Sequence, residues 1–192
     1  MDAEARRYHH GNLRSALLES ARGILEEGAS DLSLRAVARR AGVSHAAPYR
    51  HFPNHEALLV ELAKEGFVEL REEIVSAAAQ KAVESDRIAN IGAAYMRFAA
   101  KRPALARLMF GPQLPNRDNF PELTAAADAI GNEIGNALHD AALGLAVWAA
   151  VHGLAMLILE NVIDLGQRRS GLEVLPSRAE ILLRSLFQVQ RD

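Results

Sequence analysis

The chain has 192 residues, nearly half of them hydrophobic, a formal net charge of −2 and no cysteine. That supplies a sizeable core in one domain or two small ones, and it excludes disulfides and thiolate metal sites. No basic-then-apolar leader opens the sequence, so a cytoplasmic location is expected.

Charge is uneven. Residues 1–55 hold eight arginines, no lysine and six acids, a balance of +2, while the remainder hold fourteen bases and eighteen acids, a balance of −4. Histidines 9, 10, 45, 51 and 55 also fall in the first part. A basic, His-rich head on an acidic body suggests two modules with different partners.

The pattern is all-α: Ala and Leu dominate, and no period-two alternation persists. A first helix reads over 12–27 and ends at Gly28. Ser33 caps a second over 33–41, with Leu34, Val37, Ala38 and Ala41 on one face and Gly42 as its stop. Ser44 caps a third over 44–52. A longer fourth begins at Asn54 or His55 and ends near Gln80. Further helices read over 86–101, 103–110, 120–138, 141–164 and 177–189. Loops rich in turn residues fall at 111–119 and 166–176.

The second and third helices, joined by a tight turn at Gly42, carry a helix-turn-helix signature. Such a unit lays its second helix in the DNA major groove, led by its N-terminal residues. At 100° per residue, Pro48 and Phe52 share the inner face, with Val43 packing on Pro48 as a staple. His45, Ala46, Ala47, Tyr49 and Arg50 point outward. Pro48 is only the fourth helical residue, so it gives up about one hydrogen bond near the helix start.

The run AALGLAVWAAVHGLAMLIL, 141–159, has no formal charge and nearly the length of a membrane span. Its Ala/Gly content, the central His152 and the absence of a basic flank argue for a helix within a soluble bundle. Ala142, Ala146, Ala149 and Gly153 form a smooth strip on which another helix can lie, within the subunit or across an interface.

The run SLRAVARRAGVSHAAPYRHFPNHEALL, Ser33 to Leu59, resembles the DNA-binding domain of the tetracycline-repressor (TetR) family. The upstream YHHGNLRSALLESA resembles the family's first helix. Trp148, His152 and Gly153 resemble the WHG-type C-terminal domain of one branch, as does YMRFAAKRPALARLMF. The resemblance implies an N-terminal three-helix DNA-binding domain, residues 1–55. A long helix then joins it to a helical ligand-binding and dimerisation domain, 56–192. It further implies a homodimer through the last two long helices, on double-stranded operator DNA, with no cofactor. Carried over by position, Arg35, His45, Ala46 and Ala47 lie nearest base edges. Ser33, Tyr49, Arg50, His51 and His55 follow phosphates, and Ser44 at the helix start counts with the DNA-facing set.

Two positions depart from the family pattern. Pro48 stands where a branched apolar residue is usual, and His55 where a lysine is usual. Histidine titrates near neutrality, so operator affinity is expected to rise as pH falls from about 7.5 to 6. Alanine methyls can touch a thymine methyl but bond no base, which leaves Arg35 as the candidate for a bidentate guanine contact. The alternative role for Arg35 is a phosphate clamp.

Candidate effector-pocket residues are Phe67, Tyr95, Met96, Phe98, Met109, Phe110, Trp148, His152 and Met156. Each is also a plausible core residue, since aromatics and methionines at helical spacing usually pack. Trp148 and His152 lie one turn apart, and both need polar partners when buried. They satisfy each other or nearby carbonyls, or they anchor a ligand in a mostly apolar pocket. With no cluster of acids or bases among the candidates, a neutral or lipophilic effector is expected.

Two rival readings remain. An enzyme would need a catalytic constellation, and no Ser/His/Asp set, phosphate loop or paired acids stands out. His51 and His55 have i,i+4 spacing, but Pro53 intervenes and Glu56 is the only nearby carboxylate, so no metal is expected. A helical ligand-binding protein without DNA-binding activity would show no salt dependence toward duplex DNA.

Overall fold

A computed structural model describes residues 13–28, 32–80, 83–114 and 119–163, together with 181 and 185. His9, His10 and Asn12 lie outside these, as do the loop expected at 166–176 and nearly all of the helix expected at 177–189. Ile181 and Ser185 of that segment are helical and exposed. Among the described residues there are seven α-helices and one 3-10 turn, and no strand.

Helix α1, Leu13–Glu26, buries Leu17, Leu18, Ala21 and Ile24, one face of a 3.6-residue period. In α2, Leu34–Arg40, the Ser33 hydroxyl accepts from the Ala36 N–H at 3.1 Å, the cap expected of that serine. Gly42 closes α2 at φ +68°, a left-handed conformation that suits a residue without Cβ. The Val43 N–H then reaches the Ala38 carbonyl at 3.0 Å and the Gly42 N–H reaches Arg39 at 3.3 Å. This double closure satisfies the end of α2 and reverses the chain.

The third element corrects the sequence reading. Instead of an α-helix over 44–52, the chain makes a turn followed by a 3-10 turn, Pro48–Arg50. Proline has no N–H to give the Ser44 carbonyl. That carbonyl accepts from Ala47 at 3.0 Å, and Arg50 and His51 likewise bond three residues back. Ser44 therefore contributes its backbone to the start of the element. Only Phe52 makes an α-type bond within this stretch, to the Pro48 carbonyl at 2.9 Å. The predicted facing survives, because Pro48 and Phe52 are buried.

Helix α3, His55–Ala78, is capped by Asn54, whose side chain accepts from the Ala57 N–H at 2.8 Å. Its 24 residues make a shaft of about 36 Å. Helices α4, Glu84–Lys101, α5, Pro103–Phe110, α6, Pro121–Leu138, and α7, Ala141–Leu159, complete the bundle. Pro103 and Pro121 each open a helix, where a missing N–H costs nothing. Helix α3 packs on α4, α5 and α6, while α7 packs on α6 and α4.

Helix α7 ends at Leu159, short of the expected 164. Asn161 takes φ +56°, and the Val162 N–H returns to Leu157 at 2.9 Å. Asparagine tolerates this left-handed closing position. At the other end, Asp140 Oδ1 accepts from the N–H groups of Ala142 and Leu143. The α6–α7 corner is therefore tight, and the two helices touch backbone to backbone at Gly135 and Gly144. A Cβ added to Gly144 would lie 2.5 Å from the Gly135 Cα.

A charged seam ties α1 to α3 and α5. Arg14 pairs with Glu61, and Arg22 pairs with Glu65 at 2.5 Å. Arg102 pairs with Glu69 at 3.2 Å. Burial alone would raise the Glu61 carboxyl, but Lys64 and Arg14 outweigh it and hold it below its ordinary value. The Leu105 N–H, in α5, donates to Glu26 Oε1 at 3.3 Å.

Candidate nucleic-acid interface

The helix-turn-helix unit hangs on two buried residues of its 3-10 turn. Phe52 is 1% exposed, and the Arg14 guanidinium stands 5.7 Å over its ring. Val43, partly buried, packs against the same core. With Pro48 and Phe52 facing inward, His45, Ala46, Tyr49, Arg50 and His51 are exposed, and Ala47 is half-buried. Ser44 and His55 are also exposed. Ser33 is half-buried, its hydroxyl already accepting from Ala36.

On α2, Arg35 is exposed. Arg39, which the sequence reading did not single out, is exposed one turn further on. The i,i+4 spacing of these two arginines was the available signal. Arg40 differs, since both its terminal nitrogens hold Glu27, at 2.6 and 2.7 Å. Among the described residues, the side chains of Arg35, Arg39 and Arg50 have no acidic partner. These cations and the slim alanine surface between them could neutralise phosphates while letting backbone approach a groove.

The residues expected to line an effector pocket only partly gather. Phe67, Phe110, Tyr95 and His152 form one aromatic cluster. The Phe67 and Phe110 rings meet edge-on with centroids 5.2 Å apart, and Phe110 lies 4.4 Å from His152. The Tyr95 hydroxyl and His152 Nδ1 are 2.8 Å apart. The tautomer protonated at Nε2 accepts the tyrosine proton there. Burial pushes the Tyr95 phenol up, against a smaller opposite pull from the Trp148 N–H. Burial pushes the His152 imidazole below its ordinary value.

Trp148 and His152 do not satisfy each other. His152 takes Tyr95, and the buried Trp148 Nε1 lies close enough to act on the Tyr95 hydroxyl but makes no hydrogen bond of normal geometry among the described residues. The Trp148 ring instead packs over Gly131, where an added Cβ would come within 3.2 Å of it. Met96 and Phe98 are fully buried core, outside the ring contacts of the cluster. Met109 fills the space above Gly66, and Met156 is half-buried against the core.

The head and body each match known proteins. Residues 17–62 fit the family profile of bacterial regulatory proteins of the tetR family. Residues 88–171 fit that of the tetracyclin repressor-like C-terminal domain. An HTH-type transcriptional regulator of Mycobacterium tuberculosis is 31% identical over 106 residues, covering 54% of this chain and 45% of the relative. The nucleoid occlusion factor SlmA of Aliivibrio fischeri is 32% identical over 110 residues, covering 54% of each chain. The chain thus spans about half the length of the curated relatives it matches. A solved structure of a Rhodococcus protein of unknown function superimposes with a TM-score of 0.68 at 31% identity, over 93% of this chain and 96% of that one.

Proposed function

The chain belongs to the TetR family of bacterial regulatory proteins, and we propose that it is a DNA-binding transcriptional repressor rather than an enzyme. It acts as a homodimer on a palindromic operator and is released by a small-molecule effector. Residues 1–55 form the DNA-binding domain, and 56–192 form the ligand-binding and dimerisation domain.

One observation carries the reading. The turn at Gly42 and the buried pair Pro48 and Phe52 leave His45, Ala46, Tyr49, Arg50 and His51 outward, flanked by the exposed Arg35. In this account Arg35, His45, Ala46 and Ala47 approach base edges. Ser33, Ser44, Tyr49, Arg50, His51 and His55 follow the phosphates, and Arg39 adds a further phosphate contact.

The exposed face of α7 supports dimerisation. Its residues are almost all apolar, yet Ala142, Leu145, Ala146 and Ala149 are exposed, Leu145 by 60%. A second copy covering this strip removes the apolar surface from water. The close α6–α7 crossing at Gly135 and Gly144 favours this over a membrane span.

Effector coupling runs through the aromatic cluster. Phe67 sits on α3, the helix that begins at His55, and touches Phe110 at the end of α5. Helix α5 in turn bonds α1 through Leu105 and Glu26. A neutral or lipophilic effector that parts Phe110 from His152 shifts α5 and α3 together and so moves the recognition turn. Such a ligand must prefer one of the two states, and DNA must oppose it by the same free energy.

Selection of bound duplexes from a random pool tests the proposal. The expected product is an inverted repeat with half-sites roughly 34–36 Å apart. A pool that enriches no sequence contradicts it.

A further inference from the structure

A groove of about 960 Å³ opens between the helix-turn-helix unit and α5, away from the aromatic cluster. Its floor includes Leu25, Leu59 and Leu108, so α1, α3 and α5 all contribute. Its rim carries Arg35, Tyr49 and His55. Among the described residues no acid lines it, and neither Arg35 nor His55 has an acidic partner. The volume lies within the range of small-molecule sites. An apolar floor under a rim that carries the Arg35 guanidinium and the His55 imidazole is complementary to one kind of ligand, an apolar tail bearing an anionic head.

We propose that this groove is a second effector site that binds an amphiphilic organic anion, with its tail on Leu59 and Leu108 and its head at Arg35 and His55. Because Arg35 and His55 both face the operator in the reading above, one at a base edge and the other at a phosphate, bound anion and DNA exclude each other directly. Release by this route needs no change of shape. It rests on the DNA-binding reading only for that consequence, since occupancy of the groove does not.

Calorimetric titration of the full chain without DNA tests the site. The probes are decanoate below its micelle-forming concentration, decyl phosphate, decanol and decyltrimethylammonium. Decanoate or decyl phosphate binds, and whichever is tighter identifies the head group. Decanol and the cation bind far more weakly. Arg35→Gln weakens anion binding about tenfold, the size expected for one charge-assisted hydrogen bond, and leaves decanol unchanged. Gln113→Trp, on the exposed wall of the groove, blocks the anion while operator binding persists. With operator present, the apparent Kd for DNA rises in proportion to free anion without reaching a plateau, whereas release from a remote site saturates. Equal binding of decanol, anion binding unaffected by both substitutions, or no anion binding overturns the proposal. Because occupancy is read without DNA, each of these failures is distinct from a failure to bind operator.

Discussion

The Phe52 amide donates to the Pro48 carbonyl at 2.9 Å, and both side chains are buried beneath the outward face of the recognition turn. The proline that denies this segment a regular helix is also the residue on which it is seated. Its ring fills core space, and its fixed φ restricts the unfolded chain.

Pro48→Ala should therefore destabilise the protein, although it restores an N–H opposite the Ser44 carbonyl. Lost ring burial and greater unfolded-chain entropy together cost about 1–2 kcal/mol. Phe52→Ala should cost more, about 3–5 kcal/mol. Urea unfolding with an unchanged m-value measures both, and a Pro48→Ala protein as stable as the parent would show that the ring contributes nothing.

Gly144→Ala puts a methyl 2.5 Å from the Gly135 backbone, which cannot move as a side-chain tip can. Alanine is the better helix former by about 1 kcal/mol, but separating α6 from α7 should dominate, at a net loss of about 1–3 kcal/mol. Thermal unfolding settles the sign.

His152 gives stability a pH dependence. Burial holds its folded-state pKa below the ordinary 6.5, so the unfolded chain binds the proton more readily. Its contribution is present above 6.5 and is lost as pH falls through the folded value. Unfolding free energy measured between about pH 7.5 and 5 should fall on the acid side. His152→Gln, which keeps an acceptor for Tyr95, should flatten that part of the curve. An unaltered slope would assign the pH dependence to other groups.

Much of this was legible in the sequence because it is local. The Ser33 cap, the Gly42 reversal and the inward pair Pro48 and Phe52 follow from residue type and spacing alone. The 3-10 geometry was missed because Pro48 was expected to give up one hydrogen bond and leave the α-helix otherwise intact, whereas Ala47, Arg50 and His51 all bond three residues back. The end of α7 was missed because Asn161 closes it in place of the usual glycine. Pairings across the bundle, such as Tyr95 with His152 or Arg14 with Glu61, depend on how helices cross, and no periodicity within one helix encodes that. That Glu27 holds Arg40, while Arg39 has no acidic partner among the described residues, became visible only once Glu27 was placed.

The exposed strip of α7 predicts its own disruption. Leu145→Glu should leave the subunit folded, since that side chain is largely in water already. It should convert a dimer to a monomer in sedimentation and weaken operator binding. A parent chain that sediments as a monomer at micromolar concentration would remove the basis for the dimer.

Duplex binding as a function of salt reaches the central claim most directly. If the recognition turn and Arg39 meet phosphates, log affinity for a selected operator falls linearly with log salt, with a slope of about −0.9 for each phosphate neutralised. Each subunit of the dimer brings its own Arg50, so Arg50→Ala should make that slope shallower by about 1.8, roughly 0.9 per subunit. Affinity that is independent of salt, with no difference between the parent and Arg50→Ala, would contradict DNA binding by this surface.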